Sequence, residues 1–310
     1  MKVNMVVLAY NNKNLLKECL PSIVIAAEAS RFKPTVTVLD NCSTDGSIAF
    51  LKEEFPNVEI YTAKENKVYC SYNDFFKSSD DDIIVILNSD IKVDRFFLDP
   101  LIEHFKKEPD IFLVASKVYR FDGITYEGDN SRATQYFGVI SANTQFKGYG
   151  KLIESSGFTF SSGNGAFDRK KLLLLGGFEE LYLPGRYEDV DFCYRAWKAG
   201  FKAIYEPKSI MYHKGYASFK AVYNDAQIQS MVFRNSIFFM WKNLTDFTML
   251  FKFCFWLLPR LCFFLLSARP YFIGAFFKAL LKIPELIRKR RLVQKMFKLT
   301  DKQVLKVVGA

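Results

Sequence analysis

Thr35-Val36-Thr37-Val38-Leu39-Asp40-Asn41-Cys42-Ser43-Thr44-Asp45-Gly46 is the stretch that decides how this chain is built. Its first five residues are β-branched or apolar, the composition of a buried strand, and they end on a carboxylate, Asp40. Asn41 to Gly46 is dense in turn formers. Residues 47–54 then return to helical spacing. Upstream, residues 3–9 are a mostly apolar strand that turns at Tyr10-Asn11-Asn12 into a helix over 15–25. Downstream, strands are expected at 58–62 and 83–87, with a helix over 70–78 between them. A helix at 97–107 and a strand at 111–117 follow. Strand and helix alternate at βαβ spacing, so a parallel, doubly wound α/β sheet is expected, with ligands beyond the carboxyl ends of its strands. Asp40 and Asn88-Ser89-Asp90 stand at those ends.

Residues 119–160 have weak periodicity and read as loops and short strands. Ser161 to Phe167 is a small-residue segment before a helix over 169–175, broken by Gly176-Gly177. In Tyr187 to Gly200, Val190, Cys193, Tyr194 and Trp197 fall at i, i+3, i+4 and i+7, one apolar helix face. Gly200 is placed as a left-handed C-cap. Glu188, Asp189 and Asp191 crowd the first turn, where the helix dipole alone favours acids. Strand-like runs at 202–205 and 209–212 lead to His213.

The chain has 310 residues, enough for one large domain plus an appendage, and a net charge of +10. From Lys242 to the C-terminus there are 14 Lys and Arg against 3 Asp and Glu, leaving 29 against 30 in the rest. A near-neutral body argues against nucleic acid as a partner. Neither G-x-G-x-x-G after the first strand nor G-x-x-x-x-G-K-[ST] occurs, which disfavours dinucleotide oxidoreductases and P-loop phosphotransferases. The six cysteines form no C-x-x-C pair and read as reduced cytosolic thiols. Residues 3–9 are too short for a signal-peptide core.

Asp40 after a strand, Asp90 after a strand, the Glu188-Asp189 turn and His213 after a strand, in that order, resemble the family 2 glycosyltransferases, whose fold is called GT-A. The resemblance spans residues 3–235. It is most specific in Gly176-Gly177-Phe178-Glu179-Glu180 and in Tyr187 to Arg195 with Gly200-Phe201, which are similar to bacterial rhamnosyltransferase-like members. The resemblance implies a GT-A mixed sheet with a Rossmann-like nucleotide half. It places the nucleotide base against Asp40, with Ala9, Tyr10 and Asn11 as a wall and Asn66 beside it. The glycines usual after such an Asn are replaced here by Lys67-Val68-Tyr69-Cys70-Ser71. Asn88-Ser89-Asp90 takes the place of the family's D-x-D. The resemblance implies Mn²⁺ or Mg²⁺ held by Asp90 and His213, with Asn88 and Ser89 near the donor. Gly163, Asn164 and Gly165 match a segment that lets sugar or acceptor approach the backbone, although a tight turn alone would explain them. Asp189 matches the catalytic base, supported by Glu188 and Asp191, with Arg195 pairing Asp191 structurally at i, i+4. The donor would be a UDP- or dTDP-sugar, since uracil and thymine both offer an N3–H to a carboxylate.

In residues 244–277, Lys252, Arg260 and Arg269 and the prolines Pro259 and Pro270 interrupt an aromatic-rich run, leaving no uncharged stretch near the 20 residues of a membrane span. Two or three amphipathic helices at an anionic membrane surface are expected, with Arg288-Lys289-Arg290-Arg291 meeting headgroups. The competing reading is a homodimer through these helices. The division expected is 1–235 for the transferase and 236–310 for the C-terminal region, peripheral on the cytoplasmic face of the cell membrane. A polyprenyl-linked glycan acceptor in cell-surface polysaccharide synthesis would suit that location. Two alternatives are a catalytically silent nucleotide-sugar-binding scaffold and a nucleotidyltransferase; the latter lacks its glycine-rich phosphate loop.

Overall fold

The computed structural model describes residues 1–215, 222–267 and 269–310. Strand β1 (Val3–Ala9) alternates its side chains between two cores. Met5 and Val7 pack with Leu16, Leu20 and Ile23 of α1 (Lys13–Ala29), while Val6 faces the other side. Burial on both faces explains why the strand reads as an unbroken apolar run. Beside it, in parallel, run β2 (Thr35–Asp40), followed by α2 (Ser47–Glu54), and β3 (Glu59–Thr62). A 3-10 turn (Val68–Ser71) leads into α3 (Tyr72–Ser78) and β4 (Ile83–Asn88), which pairs with β1 on its other edge. The pairing Ala9↔Asp40 and Leu8↔Asn88 puts three expected site residues on one carboxyl edge.

After Asn88 come β5 (Ile91–Val93), α4 (Leu98–Lys107) and the long β6 (Ile111–Arg120). The stretch expected as loops and short strands contains β7 (Tyr126–Gly128), the hairpin β8 (Arg132–Tyr136) and β9 (Val139–Asn143), α5 (Tyr149–Leu152) and β10 (Gly157–Phe158). Next are β11 (Gly165–Asp168), α6 (Arg169–Leu174), α7 (Glu188–Lys198) and β12 (Lys202–His213). The two runs expected before His213 are one strand with an irregularity between Glu206 and Ile210. The sheet order is β10-β12-β6-β11-β4-β1-β2-β3, with β11 antiparallel to both neighbours, so the sheet is mixed, as the resemblance implied, and not parallel throughout as the βαβ spacing predicted. Helices α1, α2 and α4 cover one face, and α3, α6 and α7 the other.

Gly165 has φ of +126°, and a Cβ there would lie 2.5 Å from the Val114 carbonyl oxygen of β6. This glycine therefore answers to the neighbouring strand and not to a ligand. Gly165→Ala is expected to cost about 2 kcal/mol or more, from backbone strain and overpacking. Urea unfolding measures it, and a loss below about 0.5 kcal/mol, the usual surface noise, contradicts the strand reading.

Helix α7 differs from the expectation of one apolar face. Every residue from Val190 to Lys198 is buried, including Asp191, Arg195 and Lys198. What covers the polar face is the C-terminal region: α8 (Asp225–Asn243), α9 (Phe247–Leu266), α10 (Tyr271–Leu281), α11 (Ile283–Gln294) and α12 (Asp301–Val308). The expected boundary after residue 235 falls inside α8, whose Phe233, Ile237 and Phe239 belong to the same core as Phe178 and Phe192. Nor is the aromatic run broken at Pro259. Helix α9 runs through it for 20 residues and is long and apolar enough to cross a membrane. Pro259 removes one backbone donor, and packing of Met249, Phe253 and Leu257 holds the helix across the gap.

Candidate active site

At the carboxyl edge of β2, Asp40 is buried and accepts the Ser43 N–H at 3.1 Å, so it caps its own turn. The next turn is locked to the loop after β1. Asn11 accepts the Thr44 N–H at 2.7 Å, and the Asn11 N–H donates to Ser43 Oγ. Asp45 accepts from the Lys13 and Ser47 N–H groups, tying α1 to α2. The two loops expected to wall the nucleotide base are thus one rigid unit, with Tyr10 exposed beside it. Asn66 accepts the Val68 N–H at 3.0 Å in a turn of its own. Val68 sits at φ +51° where the family would have glycine.

Beyond β4, Asn88 Oδ1 accepts the Tyr69 hydroxyl at 2.8 Å, and Ser89 Oγ accepts from Asn12. Asp90 is buried, and its Oδ2 lies 3.4 Å from His213 Nε2. The other ring nitrogen, Nδ1, lies 2.9 Å from Glu127 Oε2 on β7. If Nδ1–H donates to Glu127, the Nε2 lone pair faces a carboxylate oxygen, which is stable only with a proton or a cation between them. Burial opposes the imidazolium, but the hydrogen bonds and charges of Asp90 and Glu127 push its pKa up to about 10. Among the described residues no group of three or more His, Cys, Asp and Glu forms a ready metal site. Asp90 and His213 therefore offer two donors, which suits a cation that takes its other oxygens from a diphosphate and water.

Opposite this edge is the first turn of α7. Arg186 and Tyr187 before it both have positive φ, of 75° and 74°, a strained entry that no glycine relieves. Glu188 is pushed up to about 8, by burial first and then by the charge of Asp189. Burial raises Asp189 as well. One Glu188 oxygen is buried without a partner. A Cβ on Gly163 would stand 3.5 Å from the Tyr69 hydroxyl and 3.7 Å from Asp189 Cβ. The small-residue segment therefore lies between the Asn88 side and the acid pair. Asn164 adds a buried, unpartnered side-chain oxygen.

Asp191 is placed elsewhere. Its carboxylate is fully buried and accepts from Tyr182, Arg195, Lys242 and Asn243 at 2.6 to 3.0 Å. No oxygen is left to orient a base or an acceptor; Asp191 joins α7 to α8. The expected pair with Arg195 is present at 2.8 Å.

Three residues escaped the sequence reading: Tyr69, Glu127 and Asp129. Glu127-Gly128-Asp129 lies where periodicity fades, and only the β6–β7 pairing brings it beside His213. Asp129 is pushed up to about 7 by burial, against a hydrogen bond from Ser162, and it senses the charges of both His213 and Asp189. Asp129 is therefore near both the Asp90–His213 pair and the acid pair.

The carboxyl edge of the sheet thus holds two interlocked loops and a carboxylate–histidine pair, and the first turn of α7 adds a buried acid pair. The family model described as Glycosyl transferase family 2 matches residues 5–173, more than half the chain, and the chain belongs to that family. It is a glycosyltransferase with the GT-A fold. No curated protein matches the chain. Among solved structures, S. aureus TarS in complex with UDP-GlcNAc is similar at TM-score 0.59 and 16% identity, covering 96% of this chain and 87% of that one. The mannosyltransferase PcManGT from Pyrobaculum calidifontis, with GDP-Man and Mn²⁺, is similar at 0.53 and 16%, covering 92% and 75%. GalNAc-T7 with UDP, GalNAc and Mn²⁺ is similar at 0.56 and 14%, covering 77% of this chain and 47% of that one.

Glu188→Gln is expected to move the acid limb of the kcat/KM profile to lower pH. Removing the like charge lets Asp189 ionise more readily, and an unmoved limb would mean that the pair does not titrate together.

Proposed function

We propose that this glycosyltransferase inverts the anomeric carbon as it moves a sugar from a UDP- or dTDP-sugar to a hydroxyl of a glycan or lipid-linked glycan. The observation that carries the reading is the Asp90–His213–Glu127 array together with the buried pair Glu188–Asp189, with Asp129 close enough to feel the charges of both His213 and Asp189. Asp40 accepts the N3–H of the base, and Asn88, steadied by Tyr69, orients the donor. When bound at Asp90 and His213, Mn²⁺ or Mg²⁺ would neutralise the charge that builds on the departing diphosphate. Glu127 holds His213 in the ligating tautomer. Asp189 takes the proton of the acceptor hydroxyl as it attacks, and Glu188 keeps that carboxylate basic. Attack on the face opposite the leaving group inverts the centre, by the logic of inverting glycosidases.

The chain would work at the cytoplasmic face of the cell membrane, in cell-surface polysaccharide synthesis. Phe251 and Phe255 on α9 are 60% and 59% exposed, and Phe277 and Leu281 of α10 are exposed as well. Of the basic run of α11, Arg288 and Arg291 stay exposed and suit such an interface, whereas Lys289 pairs with Glu179 and Arg290 donates to the Trp241 carbonyl, so these two do not meet headgroups as expected.

The test is a panel of nucleotide sugars with and without Mn²⁺, reading released nucleotide, on wild type and Asp90→Asn. Metal-dependent release that falls about 100-fold or more in Asp90→Asn is expected, the scale of a lost electrostatic anchor. Binding of a nucleotide sugar without any release, membrane lipid extract included, would instead favour a silent scaffold.

A further inference from the structure

Besides Glu188 Oε2, two buried side-chain oxygens around the acid turn have no hydrogen-bond partner among the described residues: Asp129 Oδ2 and Asn164 Oδ1. Both belong to rigid pieces of backbone. The Asp129 carbonyl accepts the Thr159 hydroxyl at 2.7 Å, and a Cβ on Gly128 before it would lie 2.7 Å from Thr144 Cγ2. Asp129 itself takes φ of +74°, which Asp tolerates better than most residues. Asn164 is held by Ser162, whose Oγ accepts the Asn164 N–H at 3.0 Å and donates to the Asn164 carbonyl at 2.6 Å. Ser162 is also the hydrogen-bond neighbour of Asp129. Its single hydroxyl proton cannot serve both acceptors. Buried acceptors left unpaired are costly, and these two call for donors that the chain does not supply.

Their position says which donors. Asp129 is close enough to feel the charges of both His213 and Asp189. Gly163, between Ser162 and Asn164, is near Asp189 as well, since a Cβ there would stand 3.7 Å from that of Asp189. In the transfer reading the diphosphate sits at Asp90 and His213, and the attacking hydroxyl sits at Asp189. Attack opposite the leaving group puts hydroxyl, anomeric carbon and diphosphate in one row, so the sugar reaches from one end to the other. A residue near both ends borders that sugar. We propose that Asp129 Oδ2 and Asn164 Oδ1 accept hydrogen bonds from hydroxyl groups of the transferred sugar, which restricts the donor to neutral, hydroxyl-bearing sugars. The inference rests on the transfer reading above and narrows its donor. A sugar that carries a carboxylate is refused because Asp129 and Glu188 already stand within range of the Asp189 charge, and a further acid among them is repelled.

The test is a binding titration of the full chain in Mn²⁺. The neutral probes are UDP-glucose, UDP-galactose, UDP-N-acetylglucosamine and dTDP-glucose. UDP-glucuronic acid is the acidic probe, and UDP and dTDP are the sugar-free controls. Asp129→Gly deletes the carboxylate and suits φ of +74°. It is expected to weaken the neutral probes that bind wild type by about tenfold, the worth of a hydrogen bond to a charged group, and to leave the bare nucleotide within about twofold. Asn164→Ala loses about threefold on the same probes, as for a neutral acceptor. UDP-glucuronic acid binds wild type about tenfold more weakly than the best neutral probe. Asp129→Asn removes the charge, keeps an acceptor oxygen and narrows that gap to about threefold. Neutral probes that keep their affinity in either Asp129→Gly or Asn164→Ala overturn the proposal, because water then satisfies the oxygen. So does an equal loss for sugar nucleotide and bare nucleotide, the mark of a structural role. UDP-glucuronic acid binding wild type as tightly as the best neutral probe overturns it too. If no probe binds, bare nucleotides included, the transfer reading falls and this one with it. Bare nucleotide binding with no sugar-dependent loss sinks this inference alone.

Discussion

Asp189→Asn is expected to slow sugar transfer by about 10²- to 10⁴-fold, the contribution of a positioned general base. The change is isosteric and removes one charge, so donor binding at the opposite edge stays within about threefold, well inside the factor of 10 that 1.4 kcal/mol represents. Stability should not fall. Burial raises the pKa of both Glu188 and Asp189, and the charge of Asp189 raises Glu188 further. A carboxyl with a raised folded pKa contributes stability that is fully present below its unfolded value near ~4 and is lost as pH rises through the folded value. At neutral pH the wild type therefore carries the cost of a strained acid pair, which Asp189→Asn relieves. A slow variant that melts at the same or a higher temperature than wild type supports the base. A variant retaining transfer within about fivefold, or one slow only because it has unfolded, does not.

The largest effect on stability is expected away from the cleft, at Asp301. Its buried carboxylate accepts from Lys198 Nζ and the Tyr194 hydroxyl at 2.6 Å each, from the Thr245 N–H at 2.7 Å and from the Asp246 N–H at 2.5 Å. Lys198 is itself fully buried. Asp301→Ala would strand that ammonium and is expected to cost about 3–5 kcal/mol, the scale of a broken buried pair. The double change Asp301→Leu with Lys198→Met should recover much of the loss, since it leaves no unpaired charge. Chemical denaturation of the set decides the matter. If Asp301→Ala costs less than about 1 kcal/mol, as an exposed pair would, the link between α12 and α7 is incidental. Acid should act in the same direction. Although burial opposes their charge, Lys198 holds Asp301 below the usual carboxylate range, and Lys242 and Arg195 do the same for Asp191. A depressed folded pKa contributes stability present above ~4 and lost as pH falls through the folded value, so the C-terminal helices should loosen from α7 below that pH.

These two experiments concern opposite faces of one helix. The first turn of α7 supplies the candidate base, and the polar side of its body is held by residues from far along the chain. Lys242 reaches both Asp191 and Glu179, and Lys289 reaches Glu179 as well. The tail is thus built into the support of the acid turn.

Most of the sheet was legible because burial on both faces leaves unbroken apolar runs, as in Val3–Ala9 and Ile83–Asn88, and turn-rich segments mark where they end. Asp40, Asp90, Asp189 and His213 could be picked out by their place at strand and helix ends in a familiar order. Glu127 and Asp129 could not, because their segment has no period, and strand pairing alone sets them beside His213. The sequence also could not say that Asp191 is a tie between helices. Its spacing puts it in the same first turn as Asp189, and only the packing of α8 shows that its oxygens are taken. Arg260 is the converse case. In the sequence it was a charge that interrupts an apolar run; in the folded chain it is half-buried over the Phe233 ring of α8, with one buried, unpartnered N–H group. What the sequence by itself determined is which residues lie on which element, because periodicity and turn chemistry are local. Which side chains meet, and so which of three neighbouring carboxylates is free to act, was decided by contacts between residues more than fifty positions apart, which no local pattern encodes.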